Sequence, residues 1–145
     1  MVVTSSRFAV AVHILALHAT CEDEQPLTSE FVAASVNTNP VVVRRLLGRL
    51  RTKGLVEVRP GPGGGSRLAR SPERLRLAEV YRAVEDEGLL AMHRHGPNPR
   101  CPVGAHIQAA LAGVLAEAEA GLLKALERRT LGDVLRALGP AAGSR

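Results

Sequence analysis

Tryptophan is absent from this 145-residue chain, and one tyrosine and two phenylalanines are its only aromatic residues. The core must therefore be aliphatic, and the alanine, leucine and glutamate content favours helices as the means of building it. Cysteine is nearly absent too. Cys21 and Cys101 are too few for the disulfide framework of a small secreted domain, which predicts a reducing, cytoplasmic setting. Long apolar runs are also missing: Phe8 to Cys21, FAVAVHILALHATC, is shorter than the roughly 20 residues a membrane span needs. That stretch resembles an export segment ending in a lipidated cysteine, but Arg7 is the one positive charge before it, and His18 and Thr20 stand where such a signal wants an aliphatic and a small residue. A buried helix is expected there, with no membrane partner. The length suits a single domain.

Acidic residues are scarce between Pro40 and Arg76. That segment holds ten Arg or Lys (44, 45, 49, 51, 53, 59, 67, 70, 74 and 76) against Glu57 and Glu73, an excess of eight. The whole chain is +5, so the remainder is −3. A basic segment within a mildly acidic chain predicts a face for a polyanion, although a charge run alone is also compatible with a solvated surface.

Local signals organise the segment. Leu27-Thr28 before SEFVAASV reads as a helix start, with Thr28 as N-cap. Asn39-Pro40 is a second start, a capping residue followed by proline at the first helical position. Val43, Leu46, Leu47 and Leu50 then form one apolar stripe. At about 100° per residue, Val41, Arg45, Gly48 and Thr52 lie opposite it, flanked by Val42 and Arg49. Two short helices joined by a tight turn predict a helix-turn-helix. After Gly54 the pattern changes to a two-residue period at LVEVR, PGPGGG must turn the chain, and SRLAR returns as a second strand. The alternative for such a loop, nucleotide phosphate binding, requires Gly-Lys-Ser/Thr or G-x-G-x-x-G opening a helix, and neither occurs. A hairpin wing with Arg59 and Arg67 flanking its tip is expected to meet a minor groove or phosphates.

LLGRLRTKGLVEVRPGPGGGSRLAR resembles the recognition-helix-and-wing signature of the IscR-like (Rrf) family of bacterial winged-helix regulators. TSSRFAVAVHILALHA is similar to that family's first helix and LRLAEVYRAVE to the helix after its wing, and the likeness continues through NPRCPVGAHIQAAL to TLGDVL. The resemblance implies a mainly α fold with a small β-hairpin wing and a long C-terminal dimerisation helix. It divides the chain into a winged helix-turn-helix domain at 1–86, a loop with sensor candidates at 87–104, and a dimerisation helix plus short C-terminal helix at 105–145. It also implies a homodimer that binds an approximately palindromic double-stranded DNA operator and regulates transcription, as a repressor. The DNA-binding residues expected are Thr28 and Thr38 near phosphate, Asn39, Val41, Val42, Arg44, Arg45 and Arg49 at the major groove, and Arg59, Gly63, Gly64 and Arg67 on the wing.

Two departures matter. Cluster-holding members place three cysteines in the loop where this chain has Cys101 alone, which predicts no iron–sulfur cofactor and likens the chain to the YwnA-type branch. Arg44 also stands where some relatives carry an acidic base-reading residue. His93, His95, Cys101 and His106 give H-x-H-x5-C-x4-H, which matches no standard zinc finger or ribbon, so no metal is assigned. Cys101 before Pro102 at a helix start suits a reactive thiol, with a packed loop cysteine as the plain alternative. An enzyme with Cys101 as nucleophile and a histidine as base lacks a third orienting group, so no enzymatic activity is assigned. An RNA-binding winged helix is a further alternative. Ile107, Leu111, Val114, Leu115, Ala118, Leu122 and Leu126 repeat at helical spacing to about Arg128, more apolar stripe than one small domain hides, with Gly113 and Gly121 leaving room for a second helix. Thr130 and Asp133 open a last short helix, and the terminal AAGSR is expected to fray.

Overall fold

The computed structural model describes residues 5–21, 26–86, 88 and 90–140, so the terminal AAGSR lies outside the described residues. Helix α1 (Arg7–Thr20) is the buried helix expected of the apolar run, with Ala11, Ile14 and Leu15 fully enclosed. Helix α2 (Ser29–Val36) starts where the Thr28 hydroxyl accepts the Phe31 N–H at 3.2 Å. It ends at Asn37, whose φ of 61° is the left-handed conformation asparagine tolerates. Helix α3 (Pro40–Thr52) is capped by the Asn39 side chain, which accepts the Val41 N–H at 2.8 Å. Its stripe of Val43, Leu46, Leu47 and Leu50 is buried, as its spacing requires.

Strands β1 (Val56–Arg59) and β2 (Gly65–Leu68) pair antiparallel, with Val56 opposite Leu68 and Arg59 opposite Gly65. The return strand therefore takes in Gly65 and stops before Ala69. Gly65 has a φ of 154°, and a Cβ there would lie 2.5 Å from the Leu27 carbonyl oxygen, so glycine lets the wing approach the chain entering α2. Leu27 and Ser66 exchange two backbone hydrogen bonds at 2.9 Å across that approach.

A single 3₁₀ turn (Pro72–Arg74) leads into α4 (Leu77–Val84), whose Val80 and Val84 reach the same core as Leu50, Leu55 and Leu75. Helix α5 (Pro102–Glu127) begins at Pro102, the helix start read from Cys101-Pro102 and three residues before the segment boundary drawn at 105, since a first-turn proline sacrifices no helical hydrogen bond. At about 1.5 Å per residue its 26 residues run about 39 Å, and none of them is buried. Helix α6 (Leu131–Leu138) opens on a reciprocal cap: the Thr130 hydroxyl accepts the Asp133 N–H at 3.2 Å while the Asp133 carboxylate accepts the Thr130 N–H at 2.8 Å. The sequence groups α6 with α5, but the structure returns it to the first unit. Leu131 is fully buried and its N–H donates to the Leu75 carbonyl at 2.8 Å.

Candidate nucleic-acid interface

Helix α3 and the wing enclose a groove of about 500 Å³, closed at one end by the start of α2. Arg44, Gly48 and Arg51 line it from α3, Arg59 and Gly64 from the wing, and Thr28 and Glu30 from α2. Gly64 belongs there for steric reasons, because a side chain would overlap the Arg59 carbonyl. Gly63, with a φ of 75°, turns the tip. Val41 and Val42, in the first turn of α3, are 51% and 37% exposed. For apolar side chains that exposure leaves a surface able to meet another apolar group. Thr38, half-buried, closes the turn between α2 and α3 by donating its backbone N–H to the Ala33 carbonyl at 3.0 Å.

The arginines divide into two sets. Arg44 is 3.4 Å from the Glu30 carboxylate and Arg70 is 2.7 Å from Glu79, so their charge is partly answered within the chain. Arg45, Arg51 and Arg59 have no ion pair among the described residues, and all three are exposed. Arg67 is also exposed, on β2 directly opposite Glu57. Three guanidinium groups without an ion pair among the described residues, two of them lining one groove, make a surface to which an anion is drawn.

Arg49 departs from the expectation that it faces outward with Arg45. Its guanidinium donates to both Asp86 carboxylate oxygens at 2.9 Å and to the Val84 carbonyl at 3.1 Å. On α3 it occupies the flank toward the end of α4, where a terminal carbonyl and a carboxylate both need a donor. The Arg49 hydrogen bond holds the Asp86 carboxyl below its ordinary pKa, with Arg7 adding to the effect. Arg51, which the sequence reading counted only as charge, takes the groove position instead. Its place seven residues after Arg44, and so on the same helix face, was the available signal.

The loop before α5 is explained largely by its own geometry. The Asn98 side chain accepts the Arg100 N–H at 3.0 Å and its carbonyl accepts the Cys101 N–H at 3.2 Å. Gly104 packs so closely on the Asn98 carbonyl that a side chain would overlap it. Cys101 is the N-cap of α5 and is exposed, which overturns the packed-cysteine alternative. The N–H groups of Gly104 and then Val103 face its sulfur and hold the thiol below its ordinary pKa. His93, His95 and His106 are exposed. Among the described residues, no three His, Cys, Asp or Glu side chains gather where they would hold a metal ion.

Along α5, Val114 is 59% exposed, while Ile107, Leu111, Leu115 and Leu122 are half-buried. A Cβ added at Gly113 or Gly121 would meet nothing within 4 Å, so those faces are open. Among the described residues no helix is long and apolar enough to cross a membrane.

Two helices around a tight turn, the second outward and basic, followed by a basic hairpin, define a winged helix-turn-helix. Residues 4–137 match the family model for Rrf2, described as an iron-dependent transcriptional regulator, and the chain belongs to the Rrf2 family. It is 42% identical over 135 residues to YwnA of Bacillus subtilis (strain 168), which bears the name of an HTH-type transcriptional regulator; the match spans 92% of this chain and 98% of YwnA. A crystal structure described as that of a DNA-binding protein is 38% identical, with a TM-score of 0.70 over 90% of this chain and 99% of its own. IscR of T. potens shares the fold at 21% identity, with a TM-score of 0.68 over 99% of this chain and 93% of its own. An iron or iron–sulfur centre requires several thiolate, imidazole or carboxylate donors in one place. Cys21 follows α1 and Cys101 begins α5, and among the described residues no three such donors gather at either.

Proposed function

We propose that the chain is a homodimeric, DNA-binding transcriptional repressor that reads an approximately palindromic operator. The observation that carries this reading is the groove between α3 and the wing, lined by Arg51 and Arg59, which, like Arg45 on the outer face of α3, have no ion pair among the described residues. Recognition helices present their N-terminal residues to base edges, and here those are Asn39, Val41 and Val42, followed by Arg44 and Arg45. Arginine suits guanine in the major groove and valine suits the thymine methyl.

Dimerisation is supported by α5, a helix without one buried residue, whose apolar stripe is half-buried at Leu111, Leu115 and Leu122 and exposed at Val114. A second copy would cover that stripe and place two reading heads on one face of the duplex, and occupying an operator in this way blocks access to a promoter. The donor set supports a regulator that works without an iron–sulfur cluster. The exposed Cys101, with amides facing its sulfur, supports a redox or electrophile signal entering at the loop.

The test is selection of duplexes from random DNA followed by footprinting, with structured RNA as competitor. Protection of two related half-sites, unmoved by RNA, is the expected result. Preferential loss of the complex to RNA, or protection of a single half-site by a monomer, would overturn the reading.

A further inference from the structure

The Asp86 carboxylate lies between arginines of two different helices. One oxygen is 2.9 Å from Arg49 on α3, and the other is 2.9 Å from Arg49 and 3.2 Å from Arg7 on α1. Arg7 also reaches Glu85 at 3.5 Å, and the same Arg49 guanidinium holds the Val84 carbonyl. Two residues past α4, where the chain departs toward α5, it is thereby joined to both the first helix and the basic outward helix. From these contacts we infer that Asp86 is a positioning residue: it fixes α3 relative to the chain leading into α5, and so sets the half-site spacing the dimer accepts. This rests on the dimeric DNA-binding reading above.

The geometry favours orientation over stability. Asp86 is 60% exposed and Arg49 32%, and exposed pairs contribute little to folding. A two-pronged guanidinium–carboxylate contact does, however, fix the angle between its two supports. Its loss leaves the core of α1, α3 and α4 intact, so the variants fold. Arg49 has a rival role as a phosphate ligand, but in that role it would have to leave both Asp86 and the Val84 carbonyl.

The experiment uses the full chain and a duplex selected from random DNA by the unmodified protein, together with two versions in which one base pair is inserted or removed between the half-sites. Each change rotates one half-site by about a tenth of a turn. The unmodified protein should prefer the selected spacing by about tenfold or more, a preference that Asp86→Ala and Arg49→Ala reduce to about threefold or less and Asp86→Glu retains. Arg49→Ala should leave the salt dependence of binding unchanged. Equal weakening on all three duplexes, or a salt slope that falls by about one in Arg49→Ala, would overturn the inference. An unmodified protein indifferent to spacing would overturn the dimeric reading and this inference together, whereas spacing preference persisting in the alanine variants overturns this inference alone.

Discussion

The His18 imidazole joins the end of α1 to the base of the wing: its Nδ1 lies 2.6 Å from the Ile14 carbonyl and its Nε2 2.6 Å from the Ser66 hydroxyl. A carbonyl only accepts, so Nδ1 carries the proton and Nε2 of the neutral ring accepts from Ser66. Ser66 is also the residue whose backbone pairs with Leu27 at the entry to α2. One buried polar contact thus fastens three parts of the DNA-reading unit.

The contact makes folding sensitive to acid. Burial holds the His18 pKa below its ordinary 6.5, so the unfolded chain takes up a proton first as pH falls. Stability is then full above about pH 6.5 and declines below it. Melting curves between pH 7.5 and 5 should show this decline, and His18→Gln should flatten it; parallel curves for the two proteins would refute the assignment. Ser66→Ala should cost about 1–3 kcal/mol at neutral pH, because it leaves the buried Nε2 without a donor.

Two arginines separate base reading from phosphate contact. Arg45→Ala should cost about 1–3 kcal/mol on the selected operator and relax its sequence preference. Arg59→Ala should weaken all sequences alike and lower the salt slope by about one. Fluorescence anisotropy across 50 to 200 mM salt measures both, and full operator affinity in Arg45→Ala would remove α3 from the groove.

What the sequence made legible was local. Thr28, Asn39-Pro40 and the Thr130–Asp133 pair are signals complete within four residues, and all three caps form. The stripe from Val43 to Leu50 identified the inner face of α3 because burial follows helical period. Partners distant in sequence were not legible: Asp86 lies 37 residues from Arg49, and Ser66 lies 48 from His18. A helical projection places Arg49 on one flank and Arg51 on the other without saying which flank meets α4. Nor does the pattern Asn-Pro-x-Cys-Pro distinguish an exposed thiol from a packed one, since both suit a proline-braced turn.

The two wing glycines Gly63 and Gly65 should respond differently to alanine. Gly63 has a φ of 75° with open space around it, so Gly63→Ala meets only the backbone cost of about 1–2 kcal/mol. Gly65→Ala must also push the Leu27 carbonyl away and break its exchange of hydrogen bonds with Ser66. Thermal melts should show the larger loss for Gly65→Ala, with operator affinity falling in step. Equal losses would mean that the wing is not anchored at Leu27.

The open stripe of α5 predicts a dimer that a single charge disrupts. Leu115 is half-buried on that stripe, and Leu115→Glu places a carboxylate where a second helix would pack. Light scattering should report a dimer for the unmodified chain and a monomer with poor operator affinity for the variant. A stable monomer before mutation would refute the assembly.

Cys101 should be the faster-reacting thiol of the two. It is exposed at the start of α5 with the Gly104 and Val103 amides facing its sulfur, whereas Cys21 is half-buried against the core. The thiolate is the reacting form, so a lowered pKa gives Cys101 more of it at neutral pH. Alkylation followed by mass spectrometry should label Cys101 first. Peroxide converts an accessible thiolate to a sulfenic acid, adding an oxygen at the first turn of the helix proposed to hold the two heads. Oxidation should then weaken operator binding reversibly, and Cys101→Ser should remove that response while retaining the affinity of the reduced protein. If Cys101 labels no faster than Cys21, or the oxidised chain binds as tightly as the reduced one, the thiol is no switch, and the Asn98 turn and the Gly104 contact are enough to account for the loop.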